Sequence, residues 1–503
     1  MPRPPPRHQL FARLSVAPGG LVRWLAFLGA VGGLAALVGG LQNKVHLLVI
    51  LFSMIIGFFA IIQPVVALFV VFVARGVFDL LWWIPGTVFG LNMLQVFSGA
   101  VAGLSAAFFL LELRRFEKHP CFRPFLVYGS LMVFAFVRNY FMGKTYRLGT
   151  LDLFVQYTSP FLLLFLTSDL FRDRGLRRWL LLITTLVGVV PVSTSIWHFL
   201  QGQMGSYYLH GYYRLLGGYK NLHNHAFMMV IFSALAFFWA SFPRAPVPLR
   251  AAALALMGGA CFALYQTFIR TGLLGLAVFL FVFLLARRRV PLLAGALLAG
   301  ALFILVDPVI RDRFMDIQLV LEWSNPLVDR DDLGSGRWGI WAVSLAEFAR
   351  QPFWNQLLGI GLGGHWEMVS PWVKGHQMFI PGLDPHNDYL LLLFQVGPVG
   401  VVAYVVMVWQ VVRESRALMR EADGAWAHLL GALVLALAVV VLVTNAVSNS
   451  FVHRTSPAWY FWGFAGLVFA ERADLARRRA PVPVEAEEEA GPAGALAAAP
   501  KGL

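Results

Sequence analysis

The chain has 503 residues, of which 59% are hydrophobic and 13% charged, and its mean hydropathy is +0.70. This composition excludes an ordinary water-soluble protein, and apolar stretches of about 20 residues recur that are long enough to cross a bilayer. The formal net charge is +14, but the basic residues cluster between the apolar stretches, so the charge does not indicate nucleic-acid binding.

Period-2 alternation of apolar residues is absent, so the sequence predicts an all-α polytopic membrane protein with about 14 (12 to 14) transmembrane helices. Residues 1–20 are rich in proline and arginine and lack a signal-peptide pattern, so we expect a cytoplasmic tail. The first eleven helices fall within residues 21–306 and the last three within residues 388–471. The predicted spans are about 21–41, 45–63, 64–81, 91–111, 124–141, 151–171, 179–200, 223–241, 247–268, 272–286, 290–306, 389–412, 428–444 and 458–470.

The charges between the spans predict the orientation. With the first residues in the cytoplasm, the basic clusters all fall on the cytoplasmic side; they lie at residues 114–123, 172–178, 244–250, 287–289, 413–420 and 472–479. Only Gln63 and Pro64 separate the second and third spans, but fusing these spans would place the N-terminal arginines outside. We therefore expect a large loop at residues 307–387 to face away from the cytoplasm, and residues 472–503 to form a disordered cytoplasmic tail.

The large loop is far longer than a connection needs, and such loops are usually functional or disordered. Apolar residues repeat with helical spacing in WGIWAVSLAEFARQPFW, which argues against disorder. The loop ends in Pro385, His386 and Asn387, directly before an apolar span. Pro385 restricts the preceding residue, and Asn387 and Asp388 are suited to capping a helix. We therefore expect His386 to be fixed at the water–lipid boundary, beneath a partly helical cap over an active site.

Basic residues on the predicted outer side are a second indication of a functional site. Arg214 and Lys220 lie among tyrosines before the span at 223–241, Arg270 lies in a very short outer turn, and Arg337 lies in the large loop. For any single one of them, a snorkelling side chain or a plain loop charge is about as good an explanation as a functional role. As a set, however, guanidinium groups on one face suit a phosphate or diphosphate, which they bind bidentately.

The sequence gives no sign of a metal or cofactor. Its cysteines, Cys121 and Cys261, fall in a basic loop and in a span, so we expect neither a disulfide nor a metal site. The acidic residues at positions 329–332 have the composition of a solvated turn.

Four motifs in order resemble the O-antigen ligase and polymerase superfamily of bacterial envelope glycosyltransferases. They are YYRLLGGYKNLHN, TFIRTGLLGL, LGSGRWGIWAVSLAEFARQPFWNQLLGIGLGG and PHNDYLLLLFQVGPVG. The resemblance runs from about residue 207 to residue 400, and the earlier spans match only in hydropathy. The sequence departs from the family pattern in three places. HNHAF stands where the family more often has an Asn-Pro-Asn type step, the stretch from Thr267 to Arg270 lacks the usual Ser before Arg, and Gln395 stands where Glu is common.

The resemblance implies metal-independent transfer of a glycan from undecaprenyl diphosphate to an acceptor such as lipid A–core, on the periplasmic face of the bacterial inner membrane. It also implies that His386 is the base and that Arg214 and Arg270 bind the diphosphate. Arg337, Asn387 and Lys220 are supporting candidates. No cofactor and no nucleic-acid partner are implied.

Two alternatives stay open at this point. A polymerase that joins lipid-linked repeat units, or a protein O-oligosaccharyltransferase, would use the same donor half of the reaction. A transporter or flippase of lipid-linked sugars would place charges deep in the spans. The internal charges are few, namely Arg75, Asp79, Glu112 and Asp152, and most lie near predicted span ends.

Overall fold

A computed structural model describes residues 59, 62–81, 87–88, 91–142, 147–203, 208–209, 212–308, 311, 337–364, 385–452 and 454–479. The helices there are α1 (Pro64–Phe78), α2 (Met93–Leu111), α3 (Leu113–Phe116), α4 (Phe122–Met142), α5 (Arg147–Leu170), α6 (Arg174–Val187), α7 (Val189–Leu200), α8 (Leu222–Ser241), α9 (Val247–Gln266), α10 (Arg270–Ala286), α11 (Val290–Val306), α12 (Arg337–Ala349), α13 (Phe353–Leu358), α14 (Asp388–Glu421), α15 (Ala425–Asn445) and α16 (Thr455–Arg479). A 3-10 turn (Asp79–Leu81) follows α1. Two antiparallel strand pairs complete the regular structure, β1 (Thr87–Val88) with β2 (Leu91–Asn92) and β3 (Tyr208–Leu209) with β4 (Tyr212–Tyr213).

The prediction of a helical, multi-pass membrane protein is confirmed. Within the residues described, eight segments are helical, long and apolar enough to cross a membrane: α2, α4, α5, α6 together with α7, α8, α9, α14 and α15. The shorter apolar helices α1, α10 and α11 coincide with three more predicted spans, and α16 covers the last one. The spans predicted at 21–41 and, apart from residues 59, 62 and 63, at 45–63 lie outside the described residues, so the total of 14 stays a prediction.

Several boundaries differ from the predicted ones. Both α14 and α16 continue about nine residues beyond the apolar stretch, through arginine, glutamate and leucine residues that favour helix in water. The predicted span at 179–200 is divided at Gly188 into α6 and α7. Pro191 explains this break, because it has no N–H to donate to the carbonyl of Val187.

The centre of the bundle is formed by α8, α15 and the first half of α16, because most of their side chains are buried. The periphery includes α9 and α11, where large apolar side chains such as Leu254 and Leu297 are exposed. Exposed leucines on an otherwise apolar helix fit contact with lipid tails.

A kink in α14 is stabilised by hydrogen bonds from the glycine-rich turn after α13. Pro398 has no N–H, so the carbonyl of Phe394 loses its helical partner. The turn replaces the lost donors, because Ile360 N–H binds the Phe394 carbonyl at 2.6 Å and Gly361 N–H binds the Gln395 carbonyl at 3.3 Å. The chain can approach this closely because it has glycines there, among them Gly359 and Gly397, both at positive φ.

A buried ion pair joins α6 to α16 at the predicted cytoplasmic end of the bundle. Arg177 Nε lies 2.7 Å from Glu471 Oε2, and neither side chain is exposed. Arg177 also binds Asp474 at 2.8 Å, and the Trp426 indole donates to Glu471 at 3.1 Å. These further bonds offset the desolvation of the pair, which fixes α6 against α16 at the predicted cytoplasmic end.

Candidate functional site

Five helices begin close together and bring a basic or imidazole side chain to the same region. The side chains are His223 (second residue of α8), Arg270 (first of α10), Arg337 (first of α12), His386 (two before α14) and Arg454 (one before α16). The first N–H groups of a helix have no helical partner and carry partial positive charge. A group of helix N-termini with cations is therefore suited to an anion.

His223 lies at the centre of this group. Its ring centroid is 5.9 Å from that of His386, and the two ring planes differ by 29°. Arg454, His386, Arg337 and Arg214 are all close enough to interact electrostatically with the ring. The structure thus brings His386, Arg214 and Arg337 together, although 172 positions separate the first and last of them in the sequence.

Arg214 is fixed to the turn that precedes α10. Its Nε donates to the carbonyl of Thr267 at 2.8 Å, and its NH2 group donates to that of Phe268 at 3.4 Å. Phe268 has φ of 51°, a conformation that large residues seldom adopt and that concentrates at functional sites. Arg270 follows two residues later, so Arg214 and Arg270 belong to one small unit.

Arg337 connects this unit to the other side of the site. Burial lowers the pKa of its guanidinium to about 10, and the neighbouring positive charge of Arg270 contributes to the shift. The side chain is still protonated near pH 7, so two cations lie close together. Arg337 NH1 donates to the carbonyl of Val447, between α15 and α16. One turn later in α12, the indole of Trp341 donates to the carbonyl of Pro385 at 2.7 Å.

His386 lies in a constrained backbone conformation, with φ of 49°. Asn387 ends this conformation as the cap of α14, because its Oδ1 accepts from the N–H groups of Tyr389 and Leu390 at 3.0 and 3.1 Å. Its Nδ2 donates to the carbonyl of Ala446 at 2.8 Å. The predicted helix start beside His386 is therefore confirmed, with Asn387 as the capping residue.

Asp388 does not cap α14 but binds the segment before α16. Its Oδ2 accepts from the backbone N–H groups of Ser450, Phe451 and Val452 at 2.8, 3.0 and 3.1 Å. Asp388 is fully buried. The carboxylate thus holds residues 450–452 against the start of α14.

A buried ion pair lies directly behind the site. Arg75 and Asp79 of the first described helix and its 3-10 turn are 3.5 Å apart and both 3% exposed. Asn224, the residue after His223, donates to Asp79 Oδ2 at 3.0 Å, and Ser456 bonds both members of the pair. Charges inside a membrane often mark a transport path, but these side chains bind one another and fixed neighbours on α8 and α16.

Sequence reasoning missed two members of the group. His223 was noticed only as part of a departure from the family pattern, and Arg454 was not noticed. The signal for Arg454 was its place directly before Thr455-Ser456-Pro457, a typical helix start. Lys220 is exposed, and none of the contacts among the described residues places it in this group, so its supporting role stays a prediction.

Comparison with known proteins agrees with the motifs. Residues 252–405 match the family model described as O-antigen ligase, a region that includes Arg270, Arg337 and His386. No curated protein matches the chain. The match confirms the resemblance to the O-antigen ligase and polymerase superfamily, and it supports a multi-pass membrane glycosyltransferase of that type.

Proposed function

We propose that this chain, which carries a domain of the O-antigen ligase family, transfers a glycan from undecaprenyl diphosphate to an acceptor at the periplasmic face of the bacterial inner membrane. His386 is the general base, and Arg214 and Arg270 bind the diphosphate. Arg337 supports the site, and the acceptor is lipid A–core.

The reaction is a single displacement that needs no metal. The oxygen of the acceptor hydroxyl forms a bond to the anomeric carbon, and its proton passes to a ring nitrogen of His386. The bond between the anomeric carbon and the phosphate oxygen breaks, and its electron pair leaves with undecaprenyl diphosphate. Attack from the side opposite the leaving group inverts the anomeric centre.

One observation supports this proposal above all others, the convergence of His386 with several guanidinium groups at helix N-termini. A diphosphate is the chemical group that such a site suits, because guanidinium groups and helix N-termini both stabilise the charge that develops as it departs. A histidine beside them is suited to accept the hydroxyl proton.

The base is tested by His386→Ala. General-base catalysis contributes about 10²–10⁴-fold, so turnover should fall by that factor while donor binding persists. The measurement uses purified protein with an undecaprenyl-diphosphate-linked oligosaccharide. His428→Ala, at the other end of the bundle in α15, is the matched control and should transfer at the parent rate. Folded His386→Ala protein with near-parent turnover would contradict the assignment, and retention of the anomeric configuration would exclude the single displacement.

The anion site is tested by Arg→Lys at positions 214 and 270. Lysine keeps the charge but loses the planar fork, so each variant should bind the donor more weakly than the parent. Parent-like binding in both lysine variants and both alanine variants would place the diphosphate elsewhere.

The acceptor is tested in the same assay with lipid A–core, a second lipid-linked unit and a pilin-like protein. Transfer to lipid A–core supports a ligase. Transfer only to the second unit or only to the protein would identify a polymerase or an oligosaccharyltransferase instead. Movement of donor across vesicles without transfer would favour a transporter.

A further inference from the structure

His223 is held in a fixed position beside the candidate base. Asn221 caps α8, and its Oδ1 accepts from the backbone N–H groups of His223 and Asn224 at 2.9 and 3.2 Å. The side chain of Asn224 donates to the buried carboxylate of Asp79 at 3.0 Å. The first turn of α8 is therefore anchored on both sides of His223, which limits where its ring can lie.

The surroundings of the ring are cationic. The guanidinium groups of Arg454, Arg337 and Arg214 all interact electrostatically with the ring of His223, and His386 is a further titratable neighbour. A positive charge on the imidazole would be disfavoured first by its burial and then by repulsion from these guanidinium groups, so the neutral ring is favoured. A neutral imidazole has one N–H donor and one acceptor nitrogen, and the partner of one nitrogen determines the role of the other.

Ser448 supplies that partner, because its Oγ lies 3.4 Å from His223 Nδ1. If the serine hydroxyl donates to Nδ1, the ring proton is on Nε2. We infer that His223 is a second substrate-binding histidine, which donates an Nε2–H hydrogen bond to the diphosphate of the lipid donor. This inference rests on the proposed function and extends it to a residue outside the region matched by the family model.

The two histidines then have different tasks in one step. His386 takes the proton of the acceptor hydroxyl, whereas His223 transfers no proton. As the bond to the anomeric carbon breaks and charge develops on the phosphate oxygen, the Nε2–H hydrogen bond becomes stronger. A neutral donor adds this stabilisation without adding a further positive charge next to the arginines.

The experiment compares three substitutions of His223. The amide nitrogen of glutamine reaches the position of Nε2, whereas that of asparagine reaches only the position of Nδ1. We therefore expect His223→Gln to bind undecaprenyl diphosphate within roughly threefold of the parent, and His223→Asn and His223→Ala to bind it about 10- to 100-fold more weakly, which is the effect of one hydrogen bond to a charged group. The pH profile of turnover should be the same for His223→Gln and the parent, because His223 does not titrate in the step.

The controls separate this inference from the proposed function. His428→Gln should bind undecaprenyl diphosphate like the parent. Parent-like binding by His223→Ala would overturn the inference, and so would equal weakening by His223→Gln and His223→Asn. If His223→Ala does not fold, the comparison of the glutamine variant with the asparagine variant still tests the inference. If instead the parent itself does not bind undecaprenyl diphosphate, or folded His386→Ala retains full turnover, the proposed function is the part that fails.

Discussion

Replacing Asp388 should loosen the candidate site and destabilise the protein. One buried carboxylate oxygen accepts from three backbone N–H groups of residues 450–452. Asp388→Ala would leave these donors without that acceptor, and an unsatisfied buried donor costs about 1–3 kcal/mol. Because a shifted loop or a water molecule can relieve part of this cost, we expect a loss of about 3–5 kcal/mol in the free energy of unfolding.

Asp388→Asn separates the contribution of the negative charge to stability from the contribution of the hydrogen-bond acceptor. The amide oxygen can occupy the place of Oδ2, so only the charge assistance of the three bonds is lost, and we expect about 2 kcal/mol of destabilisation. Both variants should also weaken donor binding, because residues 446–452 hold Arg337 through the Val447 carbonyl and Asn387 through the Ala446 carbonyl.

The assay is unfolding in mixed micelles of dodecyl maltoside and increasing sodium dodecyl sulfate, followed by the fluorescence of the 16 tryptophans. Asp423→Asn is the matched control, because Asp423 is 41% exposed and pairs with Arg174 and Arg478 at the surface. Surface pairs contribute about 0–1 kcal/mol. If Asp388→Ala unfolds at the same detergent composition as Asp423→Asn, the three hydrogen bonds do not stabilise the fold and this reasoning is refuted.

Three more outcomes follow from the geometry. Gly397→Ala should unfold at a lower dodecyl sulfate content than the parent, because Gly397 has φ of 69° and a Cβ there would collide with the Leu357 carbonyl; unchanged unfolding would show that the kink relaxes freely. Arg454→Gln should weaken binding of undecaprenyl diphosphate about tenfold, the effect expected of one charge-assisted contact, and an unchanged affinity would remove Arg454 from the site. In a variant without native cysteines, a cysteine at Gln201 should react with an impermeant thiol reagent in intact spheroplasts and one at Arg244 should not; the reverse pattern would overturn the predicted orientation.

The sequence by itself determined the class of the protein and much of the local structure around the candidate site. Apolar length and the positions of basic clusters depend only on the near neighbours of each residue, so the helices at residues 222–306 and 388–445 could be read directly. The helix that begins at Arg337 and the helix start after His386 were predicted for the same reason, since helical spacing and capping are local.

Only the tertiary structure decided which side chains share one site. His223 and Arg454 lie far apart in sequence, and no local pattern relates them to His386 or to the arginines. The contacts arise from the packing of α8, α14 and α16, and this packing determines which helix starts lie side by side. The kink in α14 is a second feature that the sequence predicts only in part. From the sequence, Pro398 predicts that the helix loses a hydrogen bond. Only the packing of the bundle, which places the turn of Ile360 and Gly361 beside α14, shows that these two residues supply the missing donors.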